Sequence, residues 1–309
     1  MRVVGYYNSF SNTDILEQLN LKALTHVNYA FLLPRSNGQV YFINKENAKK
    51  VISVCHSRGI KVFVSVGGWC NEKDKPLYPI FEKICTDYEI IQCFVDNIAS
   101  VVEEYGFDGV DLDWEYPTYE KKSVFEFLIL RLSTKLHNMR KEFSIAIYHS
   151  VDGEARYDRI IAISDYAISN LDFVNVMTYD CHDEKNHSSI NLAKKCVNYW
   201  VNFRKIRKEK ILIGIPFYAK PSLTPYSTLV YKNNKNADND FCGEDSYNGR
   251  NLVRKKVKFA KANCGGVFIW AINYDTTDSY SLLSTINDAK RWNGGLWPPF
   301  FCLKKLRNF

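Results

Sequence analysis

Long uninterrupted apolar runs are missing from this 309-residue chain. None approaches the ~18 residues that a membrane-spanning helix needs, so no membrane partner is expected and the chain reads as soluble. The opening residues, Met1 and then Val3-Val4-Gly5-Tyr6-Tyr7, show neither the basic start nor the small-residue cleavage site of a secretory signal. No glycine-rich phosphate loop follows this first β-like run. Asn8-Ser9-Phe10 stands there instead, which argues against a doubly wound dinucleotide fold. The nine cysteines lack the paired spacing of zinc sites and, being odd in number, cannot all be joined in disulfides. Segregated charge is absent too. The 41 basic and 34 acidic residues, net +7, are spread along the chain and suit a solvated surface better than a stripe for nucleic acid. What the chain does have is 46% hydrophobic and 15% aromatic residues, enough to bury the core of one barrel-sized domain.

Short β-branched and aromatic runs recur with helical patterns between them, the signature of parallel strands joined by crossover helices. Eight are expected: Val3 to Tyr7, His26 to Leu32, Lys61 to Val66, Gly109 to Asp113, Ser144 to His149, Phe173 to Met177, Ile211 to Pro216 and Gly266 to Trp270. The amphipathic stretches Lys45 to Ser57, Glu89 to Tyr105, Lys121 to Lys141, Asn191 to Arg204 and Arg250 to Ala262 have apolar residues at helical spacing. The fold class expected is therefore α/β, a single-domain (β/α)₈ TIM barrel over residues 1–309. The polar stretch Ala219 to Asn248 reads as a loop insertion between strands seven and eight, and residues 292–309, broken by Gly and Pro, as an irregular tail.

The informative segment is Phe107-Asp108-Gly109-Val110-Asp111-Leu112-Asp113-Trp114-Glu115. Side chains alternate faces along a strand, so Asp111, Asp113 and Glu115 share one face, while Val110, Leu112 and Trp114 turn to the helical layer. That places three acids ~6.6 Å apart inside a barrel near its C-terminal mouth. Like charges in a partly dry site cannot all ionise cheaply, so at least one carboxyl holds its proton near neutrality. Such a group can protonate a leaving oxygen, and Glu115, nearest the mouth, is the candidate. Binding of Mg²⁺ or Ca²⁺ would need further oxygen ligands, where the sequence offers Tyr116-Pro117.

These residues resemble the Asp-x-x-Asp-x-Asp-x-Glu signature of glycoside hydrolase family 18, the chitinases and their relatives, with Asp108, Asp111, Asp113 and Glu115 in its four places. Four more segments resemble the family's motifs in the same order: Ser65-Val66-Gly67-Gly68-Trp69, Met177-Thr178-Tyr179-Asp180, Gly214-Ile215-Pro216-Phe217-Tyr218 and Gly265-Gly266-Val267-Phe268-Ile269-Trp270. The resemblance implies hydrolysis of β-1,4-linked N-acetylglucosamine polymers, chitin or chitooligosaccharides, without cofactor or metal. The sugar's own 2-acetamido oxygen would attack the anomeric carbon while Glu115 protonates the leaving group. By the same resemblance catalysis falls to Glu115, Asp113, Asp111 and Tyr179. Substrate binding falls to Tyr6, Phe31, Ser65, Gly68, Trp69, Asp108, Trp114, Met177, Asp180 and Trp270, the aromatics stacking on sugar faces.

Two features depart from the family pattern. Ala219 follows Tyr218 where many members have Gly, and the insertion before strand eight is short, so a shallow groove and internal cutting are expected. The alternatives are a chitin-binding lectin without turnover and an endoglycosidase acting on N-glycan cores. A polymer substrate implies a secreted protein, with which the missing signal conflicts; a monomer is expected. Cys181-His182 with His187 is one ligand short of a zinc site, His149 reads equally well as a cleft or a structural residue, and Asn186-His187-Ser188 is a glycosylation sequon.

Overall fold

The computed structural model describes residues 1–10, 15–151, 154, 156–182 and 185–291. Eight parallel strands form its centre: β1 (Arg2–Asn8), β2 (His26–Pro34), β3 (Lys61–Gly67), β4 (Gly109–Asp113), β5 (Glu142–Ile147), β6 (Phe173–Val176), β7 (Ile211–Pro216) and β8 (Gly266–Trp270). Each pairs with the next, and β1 pairs with both β2 and β8, which closes the sheet into a (β/α)₈ barrel without edges. A short antiparallel strand, Val40–Phe42, extends β2 at the mouth.

The helices between strands form where the sequence supplies periodicity and caps. Helix α1 (Lys45–His56) starts at Asn44, whose side chain accepts the Asn47 N–H at 2.9 Å. Helix α2 (Tyr88–Tyr105) is capped by Asp87 and ends at Gly106, whose φ of 76° is the left-handed conformation glycine adopts at no steric cost. It buries Ile91, Phe94, Val95, Ile98 and Val102 against the barrel. Helices α3 (Lys122–Asn138), α4 (Ile190–Val197), α5 (Arg250–Asn263) and α6 (Leu282–Arg291) complete the long members of the outer layer. The pattern expected over Asn191 to Arg204 is one α-helix; instead α4 widens into a π-helical stretch, Asn198–Phe203. The segment expected to be a loop, 219–248, carries a helix, Tyr226–Lys232, and a small hairpin of Phe241–Cys242 and Asp245–Ser246. The tail, 292–309, lies outside the described residues. No helix among the described residues is long and apolar enough to cross a membrane. Cys55, Cys70, Cys85, Cys93, Cys242 and Cys264 are free thiols.

Inside, the barrel is filled in layers. At the N-terminal end the rings of His26, Phe63 and Phe173 form a plug, with centroids 5.3, 5.7 and 5.5 Å apart. Below it Glu142 is pushed down to about 2, chiefly by its hydrogen bond to His26 and further by Lys61. The middle layer breaks the usual rule of branched apolar residues: Tyr6, Asn28, Ser65, Asp111, Ser144 and Asn175 are all buried there. The acids of β4 therefore stand on a polar shelf over an aromatic floor.

Two residues assigned to substrate lie elsewhere. Asp108 sits before β4, where its Oδ2 accepts the Val62 N–H and faces His56 Nε2, each at 2.8 Å. It lies seven positions before Glu115, about 23 Å if the chain between is extended, so it stitches the floor of the barrel rather than binding sugar. Trp114 points outward as alternation demands. It is 2% exposed, stacked on Phe81 at 5.2 Å and edge-on to Phe125 at 5.7 Å. Its area is core, so Trp114→Ala should remove about 3–5 kcal/mol of stability in urea unfolding. A loss below about 1 kcal/mol would show that this indole is not holding the helices to β4.

Candidate active site

Asp111 is the most enclosed of the three acids, with no exposed surface. Tyr6 Oη and Ser65 Oγ donate to its Oδ2, both at 2.8 Å; Ser144 Oγ at 2.7 Å and Asn175 Nδ2 at 3.1 Å donate to Oδ1. Asn175 also donates to Tyr6 Oη at 3.0 Å. The donors come from β1, β3, β5 and β6, so one carboxyl ties together four strands. Burial raises its pKa even against these four bonds.

Asp113, two residues on and 4% exposed, has no such support. Its Oδ1 is buried and has no hydrogen-bond partner. Burial, then the charges of Glu115 and Asp111, push its pKa well above the carboxylate range. Glu115 follows just past the end of the strand, partly open to the mouth. Burial raises it to about 7, and the charge of Asp180 adds to that, against a hydrogen bond with Tyr116 and the charge of Arg159. The guanidinium of Arg159 lies 4.7 Å from the Tyr116 ring centre, bracing the wall beside Glu115.

Asp180 is the contrasting acid. Burial would raise its pKa, but contacts with His187, Tyr218 and Lys220 outweigh that and hold it below the ordinary value. Tyr218 Oη donates to Oδ1 at 2.6 Å and Lys220 Nζ stands 3.4 Å from Oδ2. The site thus carries one acid held below its ordinary pKa and three whose proton affinity burial raises. Tyr179 lies among them, its hydroxyl pushed well above the usual phenol range by burial and then by Asp113, Glu115, Asp180 and Asp111.

Aromatic rings floor and flank this group. Trp270 lies nearly parallel to Phe31 at 5.5 Å and edge-on to Tyr6 at 5.7 Å. Two glycines make room: a Cβ at Gly68, whose φ is 94°, would meet the Phe31 ring at 2.7 Å, and one at Gly214 would meet Tyr179 at 2.6 Å. Met177 is buried at the end of β6, its N–H bonded to the Ile147 carbonyl. Trp69, on the loop after β3, is 58% exposed, far more than a core indole. Tyr6, Phe31, Ser65, Gly68, Tyr179, Asp180 and Trp270 thus come together with Asp111, Asp113 and Glu115; Asp108 and Trp114 do not. Among the described residues no group of three or more His, Cys, Asp or Glu could hold a metal ion. His187 turns to Asp180, its Nδ1 3.3 Å from Oδ1.

Glycosyl hydrolases family 18 matches residues 2–275. The chain belongs to this family. Proteins named as chitinases recur among its relatives and structural neighbours. The chain is 24% identical to "Probable chitinase 10" of Drosophila melanogaster over 95% of this chain, yet spans only 16% of that protein. It is likewise 24% identical to "Nod factor hydrolase protein 1" of Medicago truncatula, covering 90% of this chain and 87% of that one. Among solved structures, "GH18 chitinase ChiB from the chitin utilization locus of Flavobacterium johnsoniae" superposes with a TM-score of 0.82 at 28% identity, covering 94% of this chain and 93% of the other.

Family 18 motifs account for most of the site, but Ser144, Asn175, Tyr116, Lys220 and His187 were missed as site residues. A signal existed for two: Ser144 and Asn175 are polar residues at inward positions of largely apolar strands. The proton affinity of Glu115 has a measurable consequence. An acid whose folded pKa is about 7 against an ordinary 4.5 weakens the fold as pH rises through that window, because the unfolded chain releases the proton more readily. Glu115→Gln carries no such cost. It should exceed the wild type in stability at pH 8 by roughly 1–3 kcal/mol and match it near pH 4, as urea unfolding at both values will register.

Proposed function

We propose that the chain hydrolyses β-1,4-linked N-acetylglucosamine polymers, chitin and its oligosaccharides, by a substrate-assisted retaining reaction. The observation that carries this reading is Asp113, a buried carboxyl with an unpartnered oxygen beside the proton-bearing Glu115. A carboxyl so enclosed is a poor nucleophile but a good partner for an amide. The acetamido N–H would donate to Asp113, which turns the amide oxygen toward the anomeric carbon. As that oxygen forms its bond to the carbon, the glycosidic C–O bond breaks and the Glu115 proton passes to the leaving oxygen. Positive charge on the resulting oxazolinium would be balanced by the Asp113 and Asp111 pair, which shares one proton and so carries one negative charge. Water then attacks the anomeric carbon, giving its proton to Glu115 and reopening the ring with the starting configuration.

Tyr179 faces the same acids and supports the reading as a donor to the acetamido oxygen. Asp180, ionised, would accept from sugar hydroxyls and keeps Glu115 protonated. Trp270 and Phe31 would lie under the ring whose bond breaks, and Trp69 under a leaving-group sugar. The short segment between β7 and β8 leaves a low wall, which favours cuts inside a chain. A polymeric substrate supports action outside the cell.

Glu115→Gln should lower kcat on chitotetraose roughly 10²–10⁴-fold while leaving Kd for the oligosaccharide within a few-fold, since the lost interaction belongs to the transition state. Equal loss of both would contradict the assignment. Fully deacetylated oligomers should be inert, and their cleavage at a comparable rate would replace the acetamido by an Asp113 nucleophile. On a soluble chitin derivative, viscosity should fall before reducing ends accumulate; early release of dimer alone would overturn internal cutting. Turnover of a glycopeptide in place of chitotetraose would move the substrate to N-glycan cores, and binding of chitotetraose without turnover would make the chain a lectin.

A further inference from the structure

His187 takes no part in the steps above, yet it is the most enclosed partner of Asp180. Its ring is 4% exposed and lies against Tyr218, centroids 5.5 Å apart. Its backbone is fixed at both ends, the N–H to Ser246 Oγ at 3.1 Å and the carbonyl to Cys181 N at 3.0 Å. From this anchored position Nδ1 stands 3.2 Å from the backbone nitrogen of Asp180 and 3.3 Å from its Oδ1.

Only one of those two contacts is a hydrogen bond at a time. A neutral ring whose Nδ1 accepts the Asp180 N–H carries its proton on Nε2, a buried atom without a partner in the structure. A ring protonated on Nδ1 can donate only to the carboxylate and must give up the backbone N–H. The choice matters because Asp180 has a φ of 59°, a left-handed conformation that non-glycine residues hold when the surroundings enforce it. Charges reach the ring from several elements: Asp180 after β6, Lys220 after β7 and Lys256 of α5, whose Nζ donates to Ser188 Oγ at 2.6 Å. Burial, helped by Lys256 and Lys220, holds the imidazole pKa below its ordinary value in spite of Asp180.

We propose that neutral His187 is a positioning residue whose Nδ1 accepts the Asp180 N–H, keeps Asp180 in its left-handed turn and so places the Asp180 carboxylate against substrate and Glu115. Protonation of Nδ1 exchanges that bond for one to the carboxylate and lets the turn relax, so substrate binding weakens on acidification. The inference rests on the reading of Asp180 given under Proposed function.

Two substitutions separate its parts. In His187→Asn the amide oxygen can occupy the Nδ1 position and accept, but it does not titrate; His187→Leu cannot accept at all. His187→Leu should raise KM for chitotetraose about tenfold with a smaller change in kcat, and His187→Asn should restore KM to within about threefold of wild type. Wild-type KM should rise on the acid side, whereas that of His187→Asn stays flat there. A KM unchanged in His187→Leu, or an acid limb identical in wild type and His187→Asn, overturns the proposal. Should His187→Leu fail to fold, the wild type and His187→Asn still decide through the acid limb. Independently of turnover, long-range ¹H–¹⁵N spectra at pH 7, assigned by the signal lost in His187→Asn, should show Nε2 protonated and Nδ1 bare. A proton on Nδ1 would refute the inference even if chitotetraose is cleaved. Failure of the wild type to cleave chitotetraose, with the bare Nδ1 observed, would instead sink the proposed function and leave the clamp standing.

Discussion

One carboxyl, Asp111, organises the interior. Four donors from four strands converge on its two oxygens at 2.7–3.1 Å, and none of the five groups reaches solvent appreciably. Removing an acid from water is costly, and the cost is contained only when most of its lone pairs find donors. Here the donors are inward side chains of the two adjacent strands, β3 and β5, and of β1 and β6 beyond them, so satisfying Asp111 also ties these strands together across the interior. The base of the site is thus built on the barrel strands, with Glu115 and Asp180 just beyond their ends.

The graded environment along β4 follows from that arrangement. Asp111 is saturated, Asp113 lacks a partner for one oxygen, and Glu115 reaches the partly open mouth. Three acids of similar intrinsic strength thereby acquire different proton affinities and different access. Asp180 completes the set from another strand end, ionised because Tyr218 and Lys220 meet its oxygens. A fixed negative charge facing Glu115 and a buried neutral-leaning Asp113 beside it are the conditions under which a carboxyl can deliver a proton near neutrality.

Packing around these groups leaves little freedom. Trp270 and Phe31 lie face to face, Gly68 and Gly214 are the only residue type that fits against Phe31 and Tyr179, and the three-ring plug seals the opposite end. Aromatic surface thus does two jobs: it excludes water below the acids, which strengthens their interactions, and it presents flat apolar faces at the mouth.

Local periodicity was enough to reveal much of this. All eight strands were legible because β-branched runs alternate with helical stretches, and the shared face of Asp111, Asp113 and Glu115 follows from a two-residue repeat that needs no tertiary information. The same repeat turned Trp114 outward, against the motif that made it a sugar contact. What only the tertiary structure decided are the meetings between distant segments. Ser144 and Asn175 lie 33 and 64 residues from Asp111, and His187 is anchored by Ser246, 59 residues on, where it faces Asp180. Asp108 belongs to the same sequence motif as Glu115 yet ends at the opposite end of the barrel, since a strand's rise carries neighbours in sequence apart in space. Alternation and amphipathicity act within a few residues and are written in the chain; hydrogen bonds across strands depend on closure of the barrel, which no local stretch encodes alone.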